Sequence, residues 1–113
     1  MALTACHQDN EDYYTLATIG LDTGDTLSVE RVQAMAHITN LNSRHVVSTS
    51  DFIGSEVNIQ LLRGAYQVNI EGIIRYSDKQ GKSYTRSFRA VSDYVELVGL
   101  ESSRTKLKII FLD

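Results

Sequence analysis

From Tyr13 onward, apolar and polar residues alternate with a period close to two, and turn chemistry rather than a helical stripe interrupts them. Side chains on successive residues of an extended chain point to opposite faces, so this period implies half-buried strands. Tyr13–Gly20, rich in β-branched and aromatic residues, is the first strand, and Asp22-Thr-Gly-Asp25 breaks it. Arg31–Leu41 places Val32, Ala34, Ala36 and Ile38 on one face and Gln33, Met35, His37 and Thr39 on the other. A short helix over 28–37, capped by Ser28, competes for part of this segment, but the alternation continues through Ile38 and favours a strand. His45–Thr49 is a short third strand, and Val57–Leu61 a fourth with Val57, Ile59 and Leu61 inward. Arg63-Gly64 is expected to turn tightly, with Gly64 at positive φ, into a strand over Ala65–Tyr76. Asp78-Lys-Gln-Gly81 reads as a hairpin turn into Ser83–Val91, and Asp93–Val98 is a candidate further strand. Lys106–Leu112 closes the chain with Leu107, Ile109 and Phe111 on one face. The fold class is therefore all-β, a single two-sheet sandwich of about seven or eight strands.

Size and charge narrow the function. With 113 residues the chain has room for one ordinary domain, and no apolar run approaches the ~20 residues of a membrane-spanning helix. The net charge of −3 is unevenly placed: residues 1–30 hold six acids and no Lys or Arg, and all eleven basic residues lie from Arg31 onward. Nothing here forms the broad cationic footprint that nucleic acid requires, so no nucleic-acid partner is expected.

Two resemblances follow from particular residues. Val32-Gln-Ala-Met-Ala-His-Ile-Thr-Asn-Leu41, followed after a variable stretch by Val57-Asn-Ile-Gln-Leu-Leu-Arg-Gly-Ala-Tyr-Gln-Val-Asn-Ile-Glu71, resembles the transthyretin-like (prealbumin-like) modules. These include collagen-adhesin B-type repeats and carboxypeptidase regulatory-like domains. The resemblance implies an Ig-like sandwich over residues 13–113, with Tyr66 burying its ring between the sheets while its hydroxyl seeks a partner. The isopeptide chemistry of some adhesin repeats is not expected, because the early strands carry no lysine and the first is Lys79.

At the other end, Leu3, Thr4, Ala5 and Cys6 resemble a bacterial lipobox, the tetrapeptide at which lipoprotein precursors are acylated and cut. Cys6 is the only cysteine, which rules out an intramolecular disulfide. On this reading residues 1–12 comprise a signal-peptide remnant, the lipobox and a flexible tether. The acids Asp9, Glu11 and Asp12 are similar to the surface-export signal of Bacteroidetes lipoproteins. The resemblance implies a membrane partner through a lipid on Cys6, in the cell envelope, at the outer membrane or cell surface.

Residues able to carry chemistry are few. His37 and His45 bracket a potential hairpin and Asp51 lies near, but structural zinc wants four ligands and catalytic zinc three plus water, so neither a metal nor a cofactor is expected. No Gly-x-Ser-x-Gly elbow exists, and a cysteine on a tether has no base held against it, so no catalytic residue is assigned and the protein is not expected to be an enzyme. The most suggestive cluster is the hairpin carrying Arg75, Tyr76, Lys79, Lys82, Tyr84 and Arg86. Tyr76 and Tyr84 flank the turn almost symmetrically, so a cross-strand ring pair among cations is expected, composed like an interface that meets a protein or glycan. An ordinary charged hairpin whose lysines block edge-to-edge pairing explains the same residues. The functional expectation is a lipid-anchored, non-enzymatic binding or accessory module of a surface complex. Two alternatives stay open: a fimbrial or adhesin subunit assembling by strand exchange, and a small-ligand carrier.

Overall fold

In a computed structural model, which describes residues 13–24 and 27–112, the chain forms two packed β-sheets. The strands are β1 (Tyr14–Asp22), β2 (Ser28–Asn40), β3 (Val46–Thr49), β4 (Glu56–Leu62), β5 (Gly64–Ser77), β6 (Ser83–Leu97), β7 (Ser102–Lys108) and β8 (Ile110–Phe111). One sheet has the order β4-β1-β7 and the other β3-β2-β5-β6-β8. All pairings are antiparallel except that of β1 with β7, which is parallel. The helix over 28–37 does not form; Ser28 begins β2.

The alternation read from the sequence becomes the core. Ala36 and Ile38 of β2, Val68, Ile70 and Ile74 of β5, and Phe88 and Ala90 of β6 are buried against Ala17, Ile19, Val57, Leu61 and Leu107 of the smaller sheet. Val32, Ala34 and Ile59 pack at its margin, whereas Gln33, Met35 and His37 face outward. Each fully buried aliphatic side chain contributes about 1.5–3 kcal/mol.

Four strand expectations need correction, each for a local reason. Asp93–Val98 is no separate strand: β6 runs unbroken from Ser83 to Leu97. One extra residue of β6 between the pairs Val68↔Ser92 and Tyr66↔Val95 makes a bulge, so the inward positions shift from Phe88 and Ala90 to Val95 and Leu97. A second bulge, between Val29 and Arg31, shifts the phase of β2 and hides its first residues from a period-two reading. Lys106–Leu112 is likewise not one strand, because β7 belongs to the smaller sheet and β8 to the larger. Leu107 fills the core from one side, and Phe111 packs on it from the other after the chain crosses at Ile109.

The fourth correction concerns Gly64. The glycines at positive φ are Gly24, Gly54 and Gly81, and Gly64 is not among them. Arg63 alone separates β4 from β5, so the chain steps from one sheet to the other instead of reversing as a hairpin. Tyr66 locks that step. Its ring is 3% exposed, and its hydroxyl donates to the Leu62 carbonyl at 2.6 Å, tying the start of β5 to the end of β4.

Candidate functional site

The β5–β6 hairpin lies within the larger sheet, with β2 paired along β5 as far as Ser77, and its turn is organised by one carboxylate. Asp78 accepts from the backbone N–H groups of Gln80 and Lys82 through Oδ1, at 2.9 and 3.0 Å, and from the Tyr84 hydroxyl through Oδ2 at 3.1 Å. Gly81 takes φ 83°, a conformation that costs glycine nothing, and closes the turn by donating to the Asp78 carbonyl. These donors, first the Lys82 N–H, hold the Asp78 carboxyl below its ordinary value, while the hydrogen bond to Asp78 raises the Tyr84 phenol.

Tyr76 and Tyr84 are direct cross-strand partners, with ring centroids 5.3 Å apart and an interplanar angle of 23°. The Phe111 ring lies 5.4 Å from Tyr76, so the C-terminal segment covers the pair. Two cations sit on these rings: Lys82 Nζ is 5.5 Å from the Tyr84 centroid, and Arg86 Cζ is 4.2 Å from that of Phe111.

The six residues singled out in this hairpin do not share one surface. Tyr76 is 5% exposed and belongs to the core, so its ring is not open to a partner. Tyr84 is half-buried, and Lys79 and Lys82 are exposed at the tip. Arg75 falls on the opposite face of the sheet, where it meets Glu30 at 3.4 Å, and Ser83 donates to the same carboxylate. A hollow of about 140 Å³ lies on that outer face, lined by Arg31, Gln33, Ile73, Arg75 and Thr85. Of the six, Lys79 and Lys82 are exposed, and Tyr84 and Arg86 are half-buried. The sequence reading missed Phe111 as a neighbour of this cluster, because only the sheet switch at Ile109 brings that ring across.

The histidines do not converge. His37 Nδ1 hydrogen-bonds Ser48 Oγ at 2.8 Å across β2 and β3, while His45 is exposed before β3. Asp51 uses its backbone N–H on Thr49 Oγ1. Among the described residues no group of three or more His, Cys, Asp or Glu is placed to hold a metal ion. Leu3, Thr4, Ala5, Cys6 and His7 lie outside the described residues, as does Asp25 of the first turn.

The end of the sandwich opposite the hairpin tip carries a feature that the sequence reading overlooked. A groove of about 460 Å³ is lined by Tyr13, Asn40, Ser43, Leu62, Arg63 and Val98, among others. The Nε atom of Arg63 is buried there without a hydrogen-bond partner. Tyr13 closes this end through its carbonyl, which accepts from the Arg63 N–H at 2.7 Å.

These features define a two-sheet β-sandwich with a polar axis. Searches of family models, curated proteins and solved structures find no match for the chain.

Proposed function

We propose that this protein is a lipid-anchored cell-envelope protein whose transthyretin-like sandwich acts without catalysis, as a binding or accessory module at the outer membrane or cell surface. Acyl chains on Cys6 supply the anchor, residues 7–12 the tether, and the β5–β6 tip meets a protein or glycan partner. The supporting observation is the polarity of the domain. The tether enters at Tyr13, beside Arg63 at the foot of β5, whereas the Asp78–Lys82 turn lies at that strand's other end. At ~3.3 Å per residue the 14-residue strand separates the two by roughly 40 Å. A domain tethered at its foot can thus hold its tip up to that distance away from the membrane.

Strand exchange draws no support from this arrangement. β1 is paired on both sides within its own sheet, and β7 and β8 also pair internally, so neither terminal strand lacks a partner. The test of the anchor is fractionation of the native host: the full-length precursor is expected in membranes, and Cys6→Ser is expected to release it. A wild-type precursor that stays soluble would refute the proposal.

A further inference from the structure

One cluster of exposed apolar side chains lies at the tether's foot, while others, such as Ile53, Tyr94 and Ile110, are scattered elsewhere on the surface. Tyr13 (57%), Leu16 (49%), Leu62 (48%), Val98 (51%) and Leu100 (76%) are all open to solvent. They are neighbours. Tyr14, itself exposed, is the register partner of Leu62, and Tyr13, Leu62 and Val98 wall the same groove. Leu16 donates its N–H to the carbonyl of Glu101, next to Leu100, at 3.1 Å. The result is a collar contributed by β1, the end of β4 and the β6–β7 loop, surrounding the point where the chain arrives from Cys6.

We infer that this collar seats in the interfacial layer of the bilayer to which the chain is tethered. The inference rests on the anchor proposed above, and covalent reach commits it to that occupant. Seven Cα-to-Cα steps separate Cys6 from Tyr13, which at 3.3–3.6 Å each allow at most about 25 Å. Any lipid on Cys6 therefore keeps Tyr13 and the collar around it within that reach in every orientation of the domain, a bound that does not hold for the hairpin tip. Tyrosine suits that layer because its ring is apolar and its hydroxyl stays wet. Arg44 and Arg63 offset Glu96 and Glu101, and Asp9, Glu11 and Asp12 of the tether leave this end of the chain net acidic. The contact is therefore apolar and interfacial, and insensitive to salt, rather than an attraction to anionic lipid.

The test uses the full chain with Cys6 coupled to a maleimide lipid in phosphatidylcholine vesicles, so its outcome does not depend on whether a cell acylates Cys6. The chain has no tryptophan, so Leu100→Trp and Lys79→Trp each install a single reporter, at the collar and at the tip. Leu100 is largely exposed, so the replacement does not disturb the core. Lipids brominated high on their chains are expected to quench Leu100→Trp several-fold more than Lys79→Trp, at low and high salt alike. Adding Leu16→Ser and Leu62→Ser to the Leu100→Trp chain is expected to reduce that quenching. Equal quenching at both positions would overturn the inference. So would a blue shift of Leu100→Trp that grows with protein density without bromolipid quenching, since a second copy would then be covering the collar. Failure of the anchor itself is read separately, in the fractionation of Cys6→Ser.

Discussion

Tyr66→Phe isolates one atom at the step between the sheets. The hydroxyl it removes makes a 2.6 Å hydrogen bond to the Leu62 carbonyl and belongs to a side chain that is 3% exposed, so water cannot fully replace it. A net intramolecular hydrogen bond contributes about 0.5–1.5 kcal/mol, and a desolvated acceptor left unpaired costs about 1–3 kcal/mol. The ring stays in place and no cavity forms beyond the lost oxygen, so the expected cost is about 1.5 kcal/mol. Unfolding entropy near 2.1 cal/mol/K per residue gives about 0.2 kcal/mol/K for ~100 ordered residues, so the melting temperature should fall by about 7 °C. Thermal unfolding followed by circular dichroism, with Tyr66→Ala as a comparison, reads this directly. Tyr66→Ala also removes the ring and should cost about 3–5 kcal/mol, as large-to-small aromatic replacements in cores do. A Tyr66→Phe protein that melts within about a degree of wild type would refute the argument, since that is the behaviour of a neutral surface change.

The glycines offer a paired contrast. A methyl group at Gly72 would stand 2.3 Å from the Gln33 carbonyl oxygen and 2.5 Å from Ala34 Cα, so Gly72→Ala should push β2 from β5 and cost about 1–3 kcal/mol or more in urea unfolding. At Gly64 the nearest atom, Asn40 Nδ2, would be 3.7 Å away and φ is not positive, so Gly64→Ala should be neutral or stabilise by about 0.4–1 kcal/mol. The Asp78–Tyr84 pair should show in titration by NMR and ultraviolet absorbance. The Asp78 carboxyl titrates below its ordinary 3.8, so its contribution to stability is complete above that value and is lost as pH falls through the lowered one. The Tyr84 phenol titrates above 10.0, so its contribution is present below that pH and is lost as pH rises through the raised value; Asp78→Asn should return it toward the ordinary range.

What the sequence made legible was whatever period two carries without interruption. The faces of β2 beyond Arg31 were read correctly because the strand keeps one phase there. The burial of the Tyr66 ring was also expected, from the resemblance, but the acceptor of its hydroxyl, the Leu62 carbonyl, was not named in advance. The failures fall where the phase changes. A bulge at Asp93–Tyr94 inverts the inward positions of β6, and the sequence then looks like two strands with a break. The opposite error arose at the end of the chain. Leu107, Ile109 and Phe111 keep one phase while the backbone leaves one sheet for the other, so an uninterrupted pattern concealed a real break. Periodicity reports which side of a strand is dry; it does not report which sheet the strand belongs to.

That sheet switch bears directly on the proposed contact surface. β2 pairs with β5 as far as Ser77, so the hairpin leaves the sheet only at its turn. Here Phe111, carried across by Ile109, covers Tyr76, and Arg86 lies over the outer face of Phe111. The carboxylate of Asp78 fixes the turn from the other side and holds the Tyr84 hydroxyl. The rings that drew attention in the sequence therefore serve mainly to stiffen the tip. What they leave for a partner is a pair of exposed cations, Lys79 and Lys82, on a hairpin whose backbone is already ordered. Binding at such a tip would order fewer side chains than binding at a loose loop, and would favour an acidic or hydroxyl-rich partner over an apolar one. A glycan or protein that met this domain through Tyr76 would first have to displace Phe111. The same partner meeting it through Lys82 and the exposed edge of Tyr84 would leave the fold as it stands.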